Sequence, residues 1–435
     1  MENKQSLKLD LAYPQPQQNK LNNAVVTVPA FLVNSIYQQV LLDQKKVASP
    51  HGFQKGSTPL GYIEKNFKFN IIEHLKDFLF RYCVVSFLVK ELRNNKIILA
   101  GEPRLININL ELNKSAEFYF EFTPIEPINI EDWQYIIFRA PKRKNYKDLD
   151  KQAISFLKEE QSKKKEENSD KLDIGDWICF DISLVDDNHN LIVEDIKENL
   201  WLKIGDDEPS IPFQEIFINK KIGDKFYTNS QSIQIYFDTQ INSNYTFLIE
   251  IQEIINKSFF SIDYLKEHFK LKANKNIHQK LIEVFSFRND LSLRKVIVEE
   301  LFDLLFTKFH FSAPVPAVLR QQNEILDVLQ QNPDYPVYKM QKDFNERVQM
   351  LAQKQVKETI LIDTICYHED IQATHDDIKY YLNLANRART KEFIYFQHPI
   401  IKANEQEYPL PSELLRQSCL REKTLNYVIN TLSRD

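Results

Sequence analysis

His51-Gly52-Phe53-Gln54-Lys55-Gly56-Ser57-Thr58-Pro59-Leu60-Gly61 is the stretch on which the reading of this chain turns. It holds three of the seven glycines found in 435 residues. Glycine enters φ > 0 without Cβ strain, so Gly52 and Gly56 let the backbone reverse twice in quick succession. Between the two reversals stand a ring, an amide and a cation: Phe53, Gln54 and Lys55. A tight loop that presents such groups to water is commonly built to touch a partner. The competing reading is an ordinary connection between two helices, with Phe53 folded inward.

The flanks are helical. Upstream, Leu32, Ile36, Val40 and Leu41 fall on one stripe, and Pro50 closes that helix. Downstream, Ile63, Phe67, Ile71, Ile72, Leu75, Leu79, Tyr82 and Val85 recur at threes and fours, which predicts one long helix beginning near Pro59. Beyond it the period becomes two. Ile106, Ile108, Leu110 and Leu112 alternate with polar residues, and so do Phe118, Phe120 and Phe122. Each set predicts a strand with one buried and one wet face.

Composition bounds the rest. Hydrophobic residues make up 43% of the chain, including 30 Phe, enough to fill several cores, and the length suits about three domains. No apolar run reaches the ~18 residues of a membrane span. The opening Met1-Glu2-Asn3-Lys4-Gln5 is polar and lacks the apolar stretch of a secretory signal. Cys83, Cys179, Cys366 and Cys419 lie far apart, without a C-x-x-C pair, and read as buried small apolar groups in a reducing cytoplasm. Net charge is −5, unevenly spread: residues 1–126 hold 15 Lys and Arg against 12 Asp and Glu. A mildly basic first part suits a partner coated in RNA phosphate, and an acidic remainder stays off it.

Four regions follow from the patterns. Residues 1–126 combine strands and helices, and 127–170 read as a linker. Within that linker an extended Trp133–Phe138 precedes a helix around Ile154 to Leu157, and the charged run Lys163–Asp170 is a solvated tether. Residues 171–256 are strand-rich: Ile178, Phe180, Ile182 and Leu184 alternate, as do Ile233, Ile235 and Phe237, and Phe247, Ile249 and Ile251. Residues 257–435 are helical, with prolines in His310–Pro316 stopping one helix before another begins near Ala317. Phe344 to Ile365 carries a wide apolar face, His375-Asp376-Asp377 reads as a capped helix start, and a last helix runs from Ser412.

Gly52-Phe53-Gln54-Lys55-Gly56-x-x-Pro59, lying after the strand Val25–Val28 and before a long helix, resembles the ribosome-docking signature of the trigger factor family. Gln54 stands where that family usually has arginine. The likeness runs in order to the C-terminus. It implies an α+β multidomain fold: an N-terminal α/β ribosome-docking domain, an FKBP-like β-rich insert and an elongated all-α C-terminal domain with helical arms. It also implies a cytoplasmic, ATP-independent chaperone that holds nascent chains open during folding and export, with no cofactor. Its partners would be the large ribosomal subunit near the polypeptide exit, through protein and rRNA, and unfolded nascent polypeptides. No membrane is implied, and a homodimer off the ribosome is left open. Docking falls to Gly52, Phe53, Gln54, Lys55, Gly56 and Pro59.

In the insert, Leu172–Trp177 and Lys221–Phe226 resemble an FKBP-type prolyl isomerase's opening turn and a later glycine turn. The resemblance puts its pocket at Phe180, Asp181, Ile211, Pro212 and Tyr245. Prolyl isomerisation must overcome about 18–20 kcal/mol of amide resonance, and a dry aromatic pocket favours the twisted, less polar amide. The match is incomplete: Ile211-Pro212-Phe213-Gln214-Glu215 has Phe213 where the family has glycine, and Phe217 replaces another glycine. Two other classes therefore stay open, a prolyl isomerase acting mainly as an enzyme and a dedicated assembly or scaffold protein. No nucleotide, zinc-protease or nucleophile-elbow motif is present. His368 and His375, amid Glu369, Asp370, Asp376 and Asp377, read as a helix-end cluster, and no metal is expected.

Overall fold

Val26 and Val28 on one strand face Phe118 and Ala116 on another, and this small-against-large pairing seeds the first layer. The structure is a computed structural model that describes residues 8–12, 22–126, 128–139, 171–186, 188–237, 245–256, 287–385, 394–403 and 406–433. The helix expected around Ile154 to Leu157 and the tether Lys163–Asp170 lie outside the described residues.

In the first unit, β1 (Lys8–Ala12), β2 (Asn22–Val28), β3 (Arg104–Asn109) and β4 (Ala116–Phe122) form an antiparallel sheet in the order β1-β2-β4-β3. Pro29 caps α1 (Ala30–Val47), whose Val33, Ile36, Tyr37, Val40 and Leu41 are buried. The expected long second helix is instead broken. α2 (Leu60–Asn66) ends where Phe67 leaves helical geometry at φ −112° and ψ 8°. α3 (Lys68–Phe78) then widens into a π-helical stretch at Leu79–Val84 before α4 (Val85–Asn94). Apolar spacing cannot register such breaks, because threes and fours continue across them. A second correction concerns β3. A register shift between Leu105 and Asn107 turns Ile106 outward, to 48% exposure, so the expected core face is interrupted by a bulge.

The second unit is a five-stranded antiparallel sheet. β5 (Trp177–Val185), β6 (Leu191–Lys203), β7 (Lys225–Thr228) and β8 (Thr246–Ile255) carry two short helices between them, α5 (Ile211–Phe217) and α6 (Gln231–Phe237). α6 corrects the strand expected at Ile233, Ile235 and Phe237. Seven residues with apolar groups two apart fit a short helix as well, and here the Gln234 side chain bonds the backbone N–H and C=O of Tyr245.

The remaining helices are α7 (Phe287–Lys308), α8 (Val315–Gln330), α9 (Tyr335–Lys339), α10 (Phe344–His368), α11 (His375–Ala385) and α12 (Ser412–Leu432). Two-residue strands β9 (Lys402–Ala403) and β10 (Gln406–Glu407) pair with each other. β11 (Leu410–Pro411) joins the edge of the second sheet by pairing with β6. The start of α11 is a reciprocal cap: Thr374 N donates to Asp377 Oδ2 at 2.7 Å, and Asp377 N to Thr374 Oγ1 at 3.3 Å. Trp133–Tyr135, expected to be extended, is a 3₁₀ turn, and the buried Trp133 indole donates to Glu369 at 2.9 Å.

Cores cross unit boundaries. One apolar cluster runs from α1, α3 and the first sheet into β5, β6, α5 and Tyr245 of the second unit. Another joins Trp177, Cys179 and Trp201 to α11 and α12, and a third holds Trp133 against α7, α10 and α12. All four cysteines are free, and burial pushes Cys366 up to about 11 and Cys83 to about 12, so both are inert neutral thiols near neutral pH.

Candidate functional site

α1 ends at Val47 with the Ala48 N–H on the Gln44 carbonyl, and the chain enters the glycine loop. Phe53 N donates to Pro50 O at 3.0 Å, closing one turn. Ser57 closes the next, its N donating to Gln54 O at 3.0 Å and its Oγ at 2.7 Å. Gly52 sits at φ +93° and Gly56 at φ +81°. A Cβ on Gly52 would meet nothing within 4 Å, so the requirement for glycine is conformational, not steric. Pro59 then caps α2 and receives Tyr62 N and Ile63 N. Ile63 and Thr58 are fully buried and root the loop in the first unit.

The six residues assigned to docking thus form one structure. Gly52, Gln54, Lys55, Gly56 and Pro59 are exposed, and Lys55 makes no ion pair among the described residues. Phe53 differs from the expectation of a ring standing clear in water. It is half-buried, leaning on Tyr62 with ring centroids 5.1 Å apart. Tyr62 is in turn part of a helix held by Tyr37, whose hydroxyl donates to Glu64 at 3.1 Å. Burial and that carboxylate push the Tyr37 hydroxyl up to about 12, keeping it a donor. The ring is thereby pre-set in one pose, while the ammonium beside it stays free.

The residues assigned to an isomerase pocket are placed differently from one another. Phe180 is fully buried, its ring 4.7 Å from that of Phe217, which also lies against Phe213 and Phe226. Tyr245 is fully buried too, and its hydroxyl shares a 2.6 Å hydrogen bond with His74 of α3. Phe78 of α3 packs 5.8 Å from the same ring. Asp181 has both oxygens engaged, by Asn199 N and by Gln252 Nε2. Ile211 is 44% exposed and Pro212 half-buried, at the start of α5. Phe217 therefore fills space next to Phe180, and the first unit covers Tyr245.

A third feature lies where β4 runs toward the connection between α7 and α8. A cleft of 1140 Å³ opens between Gly101, Phe122 and Ile125 on one side and Phe309, Phe311 and Val315 on the other. Along the α8–α10 hairpin, Val315, Leu319, Val328, Val337, Met340 and Met350 are each more than half exposed. They are interspersed with exposed charges such as Arg320, Glu324 and Arg347. No spacing in the sequence separated these from core residues; only the packing of α8 on α10 does. Among the described residues, no group of three or more His, Cys, Asp or Glu could hold a metal ion, and no helix is long and apolar enough to cross a membrane.

Residues 15–153 match the family described as bacterial trigger factor protein. The trigger factor of Rickettsia rickettsii (strain Sheila Smith) is 23% identical over 421 residues, covering 94% of this chain and 91% of its own. That of Geotalea uraniireducens (strain Rf4) is 19% identical over 361 residues, covering 81% and 82%. A solved structure from work on promiscuous substrate recognition in folding and assembly activities of the trigger factor chaperone aligns over 97% of this chain and 99% of its own. Its TM-score is 0.35, at 14% identity.

Proposed function

Because the chain belongs to the trigger factor family, as a divergent member, we propose that it is a ribosome-associated, ATP-independent chaperone that holds nascent chains open in the cytoplasm. The observation that carries this is the glycine loop, in which two left-handed hinges present an unpaired ammonium and an amide beside a ring braced on Tyr62. Phe53 supplies apolar contact, Lys55 supplies charge, and Gly52, Gly56 and Pro59 fix the pose. The large subunit near the polypeptide exit is the partner, through its protein and RNA. The exposed apolar residues of the α8–α10 hairpin, diluted by charge, give unfolded segments many weak and reversible contacts. Off the ribosome the same residues favour a homodimer.

The second unit works in this reading as a rigid spacer and holding surface and not as a turnover catalyst. The packing of Phe180 on Phe217, and of Tyr245 beneath His74 and Phe78, supports this. Pelleting the full-length protein with purified ribosomes through a sucrose cushion tests the proposal. Co-sedimentation is expected, together with suppression of aggregation of a diluted, denatured client without nucleotide. A chain that stays in the supernatant would contradict it.

A further inference from the structure

The elbow between α2 and α3 carries a feature that the loop does not account for. Between Asn22 and Glu126, seven cations are ion-paired: Lys46, Lys76, Arg81, Arg93, Lys96, Arg104 and Lys114. Lys45, Lys55, Lys65, Lys68 and Lys90 make no ion pair among the described residues. Four of these five fall in the stretch that frames the loop and the elbow. From Asp43 to Asn70 there are five lysines and only two carboxylates, in a chain whose net charge is −5. Of those carboxylates, Asp43 is taken by Lys46, and Glu64 accepts the Tyr37 hydroxyl. Positive charge is left uncompensated here and largely neutralised elsewhere in the unit.

The same elbow holds an exposed ring. Phe69, in the first turn of α3, is 76% exposed, the most exposed of the large apolar side chains in this unit. Its chain neighbour Lys68 and the nearby Lys65 are exposed as well. The helix break at Phe67 sets this group at the junction of two helix ends. A ring flanked by unpaired ammonium groups matches the chemistry of single-stranded RNA, which offers phosphate charge and an unstacked base face together. An apolar protein surface would leave the lysines without countercharge.

We infer that Lys65, Lys68 and Phe69 form a second docking point, which grips ribosomal RNA: the lysines take backbone phosphates, and Phe69 stacks on an unpaired base. This rests on the ribosome-docking reading and supplements a loop whose own cation is Lys55 alone. The test uses full-length protein and purified ribosomes, with affinity measured across a salt series. Lys65→Gln with Lys68→Gln should flatten the slope of log affinity against log salt by roughly 1.4, about 0.7 for each lost single-strand phosphate contact. Phe69→Ala should weaken binding on the order of tenfold with the slope unchanged. All three side chains are exposed, so folded variants are expected, and circular dichroism checks this. A photo-crosslinking residue at position 69 should give a ribonuclease-sensitive adduct. A crosslink to a ribosomal protein, or lysine variants with wild-type slope, would overturn the inference while leaving loop docking intact. If Phe53→Ala with Lys55→Ala also leaves binding unchanged, the docking reading fails and the elbow falls with it.

Discussion

Glu358→Gln probes how the helical region is held together, and its effect follows from the surroundings of one carboxyl. Glu358 lies in α10 at 1% exposure. Tyr395 donates to its Oε2 at 2.8 Å, whereas Oε1 has no hydrogen-bond partner and sees Lys354 Nζ only at 3.9 Å. Burial dominates, the Tyr395 bond and Lys354 oppose it, and Glu299 and Asp303 reinforce it, so the carboxyl is pushed from 4.5 up to about 7. A raised folded-state value means that the native protein binds the proton more tightly than the unfolded chain. Stability from this group is complete below pH ~4.5 and is lost as pH rises through about 7. The full shift corresponds to at most about 3 kcal/mol. Gln keeps the shape and the Tyr395 partner but cannot ionise. In urea titrations with hydrogen exchange read across Phe344–His368, the variant should match wild type at pH 4. At pH 8 it should exceed wild type by ~1–3 kcal/mol, with a flatter pH dependence between. A variant less stable than wild type at pH 8 would refute the reasoning, because Lys354 and Tyr395 would then be compensating a buried carboxylate.

Glu422, by contrast, is a fully partnered carboxylate. It is fully buried, pairs with Arg294 at 2.8 Å and accepts Tyr395 N and Phe396 N, so Glu422→Ala should cost about 3–5 kcal/mol in urea unfolding. Gln54→Arg should tighten ribosome binding by about fivefold, since a charge-assisted hydrogen bond contributes about 1 kcal/mol more than a neutral one. An unchanged affinity would mean that position 54 faces no acceptor. Full-length protein should leave the cis/trans exchange rate of a proline tetrapeptide at its uncatalysed value; acceleration would show that the Phe180–Phe217 contact opens to substrate.

Much of the fold was legible where a residue type forces a backbone outcome. Gly52 and Gly56 adopt the left-handed conformations that only glycine visits freely, and Pro59 and Pro314 sit at the caps of α2 and α8. Phe118, Phe120 and Phe122 bury one face of β4, as strict alternation requires. What escaped the sequence depends on tertiary partners. Ile106 turns outward at a bulge fixed by pairing to β4, and Ile233 is helical because Gln234 reaches Tyr245. The lean of Phe53 on Tyr62 and the cover of His74 over Tyr245 join residues 9 and 171 positions apart, and no spacing rule reports either. Nothing in the sequence sets Lys65 and Lys68 apart from other charged residues; only the ion pairing of the unit's other cations does.

The central claim is that the glycine loop is the primary attachment of this chaperone to the ribosome, without which the elbow beside it does not hold. The measurement that tests it most directly compares wild type with Phe53→Ala plus Lys55→Ala in two assays: equilibrium binding to purified ribosomes, and suppression of client aggregation in free solution. Neither side chain belongs to the core, so ribosome binding should vanish while the activity in free solution is retained. Loss of both together, or retention of ribosome binding, would contradict the claim.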